Sequence, residues 1–158
     1  MKTLLINAPG AGDWIMAVAG GKFAPGLDHS FSNHQLPDGS ESPGPIPPCL
    51  GGFVLSTYLG TAMTVHMAGL DPRWCSRDLL WMVFHYGFVQ LGCKKLIAPV
   101  RSDNISAIGL DIRAGWRLEG RIANVYDNAD LLILTMEKPD CRWLRIKPRT
   151  YRPGPDHG

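Results

Sequence analysis

The apolar positions of this chain change their period several times, and each change marks a predicted element. Before residue 37 the pattern is weak: Thr3 to Asn7 reads as a short strand, Gly12 to Ala19 as a short helix and Ser30 to Leu36 as a second strand. Between Pro37 and Gly52 nine of sixteen residues are Pro or Gly, a composition that reads as a flexible surface loop because it holds neither a ladder nor a helix. Two β-rich runs follow, Phe53 to Leu59 and Ala62 to Met67, and Gly60 between them predicts an antiparallel pair. Leu79, Leu80, Val83, Phe84, Gly87, Phe88 and Leu91 then share one broad helical face, with Ser76 as N-cap, Asp78 in the first turn and Gly92 just past the end. Lys95 to Val100 reads as a strand, and Asn104 to Ala114 as a helix closed by Gly115. Arg117 to Val125 and Asp130 to Met136 read as a hairpin across Asp127 and Asn128.

The order from residue 53 is β-β-α-β-α-β-β, and a crossover helix between two strands makes them parallel neighbours in mid-sheet, with hairpins on both flanks. The expected class is α/β (α+β), a mixed, mostly antiparallel sheet with a central parallel pair and flanking helices. The length of 158 residues suits one domain, over 1–147, with an exposed tail over 148–158.

Composition narrows the function classes. A formal net charge of +2, from 16 Lys and Arg against 14 Asp and Glu, gives no general basic coat for nucleic acid. The segment Lys138 to Gly158 is locally basic, with Lys138, Arg142, Arg145, Lys147, Arg149 and Arg152 against two acids and with Trp143 and Tyr151 interleaved. It keeps a nucleic-acid or acidic partner in view beside the commoner reading of a solvated tail. The longest apolar run, Leu79 to Phe84, is far short of the roughly 20 residues that span a bilayer, and no signal-peptide core follows Met1, so a cytoplasmic protein without a membrane partner is expected. Cys49, Cys75, Cys93 and Cys141 lie far apart with no C-x-x-C, so no metal site and no disulfide framework is expected. Gly10-Ala11-Gly12 opens like a dinucleotide fingerprint, but Ile15 takes the third glycine position and a loop follows instead of a crossover, so that reading is rejected.

Tyr86-Gly87-Phe88, Leu91-Gly92, then Asn104, Leu110 and Gly115-Trp116, then Glu119-Gly120, together with the element order, resemble the GNAT N-acetyltransferase superfamily. The similarity is to the branch with ribosomal-protein and other amino-terminal acetyltransferases. Asp140 to Leu144 and Phe23 to Gly26 are also similar to small acetyltransferase-like proteins encoded by phages. The resemblance covers about residues 50 to 144. It implies acetyl-CoA as co-substrate, in a cleft where two parallel strands part, with the pantetheine against Val65, Met67, Ala68 and Gly69. The pyrophosphate would meet the turn Arg73, Trp74, Cys75, Ser76 and Arg77, where a helix start offers unpaired amides. The chain departs from the superfamily's Arg/Gln-x-x-Gly-x-Gly/Ala signature there: Trp74 stands where a glycine would admit the phosphates, and Arg73 and Arg77 could supply charge instead. Asn104 and Ser106 are further cofactor contacts, or else a helix cap and its neighbour.

For the chemistry, His66 is the titratable group on the strand facing the implied thioester and suits a general base, although a hydrogen-bonded strand histidine is the commoner case. The backbone amide of Met67 would polarise the carbonyl. The superfamily's frequent tyrosine in the later helix is replaced by Asp111, so Tyr126 or Ser106 stands in as proton donor, or none is needed. Cys75 as a nucleophile is discounted because no base pairs with it. The implied reaction is transfer of an acetyl group to an amine (a protein amino terminus, a lysine or a small amine) in a ternary complex. The alternative is a catalytically inactive GNAT-fold binding module or phage structural protein. The implied partner is the amine-bearing acceptor, and a homodimer is left open.

Overall fold

The computed structural model describes residues 2–35, 49–146 and 148. The strands are β1 (Lys2–Ile6), β2 (His29–Gln35), β3 (Cys49–Ser56), β4 (Ala62–Gly69), β5 (Lys95–Arg101), β6 (Arg117–Tyr126) and β7 (Ala129–Glu137). The helices are α1 (Ala11–Ala19), α2 (Arg77–His85) and α3 (Ile105–Ala114). The strands form one sheet in the order β1-β2-β3-β4-β5-β7-β6, antiparallel throughout except for the β4–β5 pair. This is the mixed sheet with one parallel pair that the element order predicts.

Residues alternate between the two faces of the sheet, and the faces differ in chemistry. Phe53, Leu55, Met63, Val65, Leu96 and Ala98 bury one face under α2, whose Leu79, Met82, Val83 and Phe84 are almost fully buried with them. Each such side chain removed from water contributes about 2–3 kcal/mol, so this layer is the main source of stability. On the opposite face α1 lays Ile15 and Met16 against Val54 and Ala68, a smaller contact.

The structure corrects the loop assigned to residues 37–52. Cys49 to Gly52 belong to β3, and the glycines that mimic loop composition are required by close approach. A Cβ on Gly52 would lie 2.3 Å from the Phe31 carbonyl oxygen, and one on Gly51 would lie 2.6 Å from that of Ala68. β3 also ends at Ser56, three residues before Leu59. Residues 37–48 and 149–158, including the tail residues Arg149, Tyr151 and Arg152, lie outside the described residues, as does Lys147. The central helix differs in its last part: after His85 it widens into a π-helical turn, Tyr86–Gln90, with the Leu91 N–H donating to the Tyr86 carbonyl at 2.9 Å. Gly10-Ala11-Gly12 leads from β1 into α1, but β1 and β2 are antiparallel, so no βαβ crossover stands behind that glycine pair.

Candidate active site

The parallel pair is short. β4 and β5 pair only at Ala62↔Lys95, Met63↔Leu96 and Thr64↔Ile97, and beyond these the strands part. Pro99 lies in the parted half of β5. Proline has no N–H to give a ladder and is confined to positions where one side of a strand is unpaired, which is the condition here. The gap is a cleft of about 380 Å³, a size that suits small-molecule and cofactor sites. β4 lines it with Val65, His66, Met67, Ala68 and Gly69, β5 with Ala98 to Arg101, and α3 with Ser106, Ala107 and Leu110. Asn104, Tyr126, Trp74 and the end of α1 at Val18 and Ala19 complete the wall.

His66 lies on the α1 face of β4, half-buried, with Nε2 3.4 Å from Thr64 Oγ1. Thr64 Oγ1 is also 2.9 Å from the Ser56 carbonyl and 2.8 Å from Ser56 Oγ. Nδ1 makes no hydrogen bond among the described residues, so the imidazole has a ring nitrogen to spare. Burial lowers the His66 pKa below 6.5, and the charge of Asp28 opposes part of that shift. The ring is therefore neutral at pH 7, the state a proton acceptor requires. Tyr126 reaches the same cleft from the end of β6, with the Arg101 guanidinium 4.3 Å above its ring centroid. Asn104 is the N-cap of α3, its side-chain oxygen accepting from the Ala107 N–H at 3.2 Å, and Ser106 stands exposed in the first turn.

The turn before α2 is assembled around Trp74. Its indole packs on Phe53, with ring centroids 5.2 Å apart, and covers Gly69, where a Cβ would lie 2.2 Å from Nε1. The indole thus forms a wall of the cleft and leaves it open. Arg73 points elsewhere: it is exposed and clamped on Asp71 by Nε at 2.9 Å and Nη2 at 2.8 Å, which holds the Asp71 carboxyl at about 2. Ser76 caps α2, accepting from the Leu79 N–H at 3.2 Å and from Asn33 Nδ2 at 3.0 Å. Burial, with the Asp111 charge behind it, pushes the Cys75 thiol up to about 12, which keeps it protonated. Arg77 is the exposed first residue of α2. Of the nominated residues, Val65 to Gly69, Trp74, Asn104, Ser106 and Tyr126 share the cleft; Arg73, Cys75, Ser76 and Arg77 flank it without lining it.

No protein-family model and no curated protein sequence matches the chain. Among solved structures it is similar to a spermidine N-acetyltransferase SpeG K23-Y30 chimera from Vibrio cholerae and hSSAT, with a TM-score of 0.62 and 14% identity over 86% of this chain and 95% of that one. The fold is that of the GNAT acetyltransferases. A Vibrio cholerae spermidine N-acetyltransferase in complex with CoA and spermine shares the GNAT fold with a TM-score of 0.58 and 14% identity, over 73% of this chain and 68% of that one. Campylobacter jejuni N-acetyltransferase PseH in complex with acetyl coenzyme A gives 0.51 and 14%, over 72% and 70%. At such identities the likeness is one of fold.

Sequence reasoning within this GNAT fold missed Arg101, Pro99 and the α1 residues of the cleft. Pro99 carried a readable signal, since a proline inside Lys95 to Arg101 already marks a strand with an open side. Asp111 also proves unusual: it is 1% exposed, and neither carboxyl oxygen has a hydrogen-bond partner among the described residues. No group of His, Cys, Asp or Glu among those residues is arranged to hold a metal, and no helix among them is long and apolar enough to cross a membrane.

Proposed function

We propose that the protein is an acyl-CoA-dependent N-acyltransferase that passes an acetyl group from acetyl-CoA directly to an amine. The observation that carries this reading is the parting of β4 and β5 after three residue pairs, which opens the β4 main chain to a cleft that also holds a neutral His66. In this reading the acyl and pantetheine part of acetyl-CoA lies along Val65 to Gly69, with the Met67 amide set to polarise the thioester carbonyl. Arg77 and the start of α2 serve the phosphates, because Arg73 is neutralised by Asp71. The acceptor nitrogen attacks the thioester carbon, a C–N bond forms as the C–S bond breaks, and the amine proton passes to His66 Nδ1. The departing thiolate takes a proton from Tyr126, from Ser106 or from solvent. An α-amino group, with an ordinary pKa near 8, needs less help from His66 than a lysine near 10.4.

The likeness of Tyr86 to Gly120 to amino-terminal acetyltransferases, and of Asp140 to Leu144 to phage-encoded proteins, makes a protein amino terminus one acceptor class to test. The spermidine N-acetyltransferase neighbours make a small polyamine the other. The Arg73–Asp71 clamp and Trp74 in place of a glycine favour the second reading, a binding module without turnover.

Calorimetric titration with acetyl-CoA separates the two. Micromolar binding that weakens in Arg77→Ala supports the transferase, and no heat at millimolar ligand overturns it. With an active acceptor, His66→Gln lowers kcat by about 10²-fold while acetyl-CoA affinity is kept. Because the base must be neutral, the wild-type rate falls as pH drops through a pKa below 6.5, a limb that His66→Gln removes.

A further inference from the structure

A second cavity of about 330 Å³ lies at the start of α1, and none of the residues that line it lines the cleft. Its lining includes two carboxylates, Asp13 and Asp28, and neither lysine nor arginine. Neither carboxylate forms an ion pair among the described residues, and Asp28 is only 8% exposed. One Asp28 oxygen accepts from the Ala24 N–H at 2.8 Å, which fixes the side chain. Ser30, also in the lining, is 1% exposed, and its Oγ has no hydrogen-bond partner among the described residues. Both main-chain groups of Ser30 are bonded to Asn7, at 2.9 and 2.8 Å, and its hydroxyl oxygen is covered by protein, so the carboxylates are the polar side chains open to a ligand. A nearly buried carboxylate without a cationic partner is costly, and two carboxylates on one cavity are the complement of a group that is positive and only donates.

The apolar part of the lining completes that complement. The Phe23 ring lies against α1 at Gly12, where a Cβ would fall 2.5 Å from it, and offers an aromatic wall to an alkyl chain and its cation. Burial lowers the pKa of His29, so it adds no competing positive charge at neutral pH. The field of Asp28 reaches His66, which places this cavity within electrostatic range of the acyl-transfer site.

We propose that this cavity binds an alkylammonium group of the acceptor, donating to Asp28 and Asp13, so that the acceptor class is an amine with a second cationic group. The word acceptor rests on the transferase reading; the ammonium site does not. The same chemistry is carried by a small diamine and by a lysine next to a peptide amino terminus.

The full chain is titrated at pH 7.5, without acetyl-CoA, with 1,4-diaminobutane and separately with a short peptide whose second residue is lysine. Saturable binding of either supports the site and identifies the source. Asp28→Asn, which keeps an oxygen for the Ala24 N–H, weakens that binding about tenfold or more, as expected for a charged hydrogen bond. Acetyl-CoA affinity stays at the wild-type value. If Asp28→Asn fails to fold, Asp13→Asn, at an exposed helix start, carries the test with an expected loss of about threefold or more. Absence of binding of both probes at millimolar concentration overturns the proposal, as does wild-type affinity in the folded carboxylate variant. Asp28-dependent ammonium binding in a protein that takes no acetyl-CoA would leave this site standing and remove the transferase.

Discussion

Asp111 offers a test in which the sign and size of the effect follow from one side chain. It sits on α3 facing the core, 1% exposed, with both oxygens unpartnered among the described residues. Burial there penalises the charged form and pushes its pKa from 3.8 to about 7. An acid whose folded pKa is raised binds more protons folded than unfolded between the two values, so stability falls as pH rises through that window. At 1.36 kcal/mol per pKa unit the difference between 3.8 and about 7 amounts to about 4 kcal/mol, of which about 2.5 kcal/mol falls between pH 5 and pH 7.5. Against a total of roughly 5–15 kcal/mol for a domain, this is a large share.

The assay is urea unfolding of wild type and Asp111→Asn at pH 5 and pH 7.5. Histidines with lowered pKa values, His29, His66 and His85, contribute with the opposite sign in part of this range, and the comparison with the variant cancels them. Wild type should lose about 2.5 kcal/mol more than Asp111→Asn on going from pH 5 to pH 7.5. A difference below about 1 kcal/mol would mean that the carboxyl is hydrated or paired in solution, and the reasoning from its isolation would fail.

Other consequences follow from the glycines and the thiols. Gly52→Ala puts a Cβ 2.3 Å from the Phe31 carbonyl oxygen in the middle of the sheet, where backbone cannot yield cheaply, and should lower unfolding free energy by about 3 kcal/mol in urea titration. Gly69→Ala meets the Trp74 indole instead, at 2.2 Å, and drives it off β4; acetyl-CoA binding, if present in wild type, should weaken about tenfold in calorimetry. Cys75, its thiol pushed up to about 12, should resist iodoacetamide at pH 8 in the native protein and react once urea unfolds it.

Much of the fold could be read from the chain because local signals agreed with the tertiary demand. Ser76 and Asn104 cap helices as their types predict, and Gly92 and Gly115 end helical segments with positive φ. The failures have a common cause. Gly51 and Gly52 obey contacts with β2, β4 and Trp74 that no local pattern announces, so strand glycines pass for a loop. Arg73 reads as a free cation in sequence, and only the fold of the turn brings it onto Asp71 two residues away. Asp111 was visible as a departure from the superfamily pattern, but its burial depends on which side of α3 meets the core.

The distribution of polar groups over the sheet explains why both proposed sites lie where they do. Period-two alternation sends Phe31, Phe53, Met63 and Val65 to the α2 face and leaves Ser30, Ser32, Thr64 and His66 on the other. On that second face α1 contributes a contact of only a few apolar residues, so hydroxyls and imidazoles there cost less packing than they would beneath α2. Some are satisfied within the sheet, as Ser32 Oγ with His34 Nε2 at 2.7 Å and Ser56 Oγ with Thr64 Oγ1 at 2.8 Å. Ser30 Oγ is not, and no described residue bonds His66 Nδ1. Stability is thus concentrated on one face, and unsatisfied hydrogen-bonding capacity on the other. Asp13, exposed at the start of α1, lies outside both apolar clusters, so Asp13→Asn should weaken ammonium binding and leave the melting temperature unchanged.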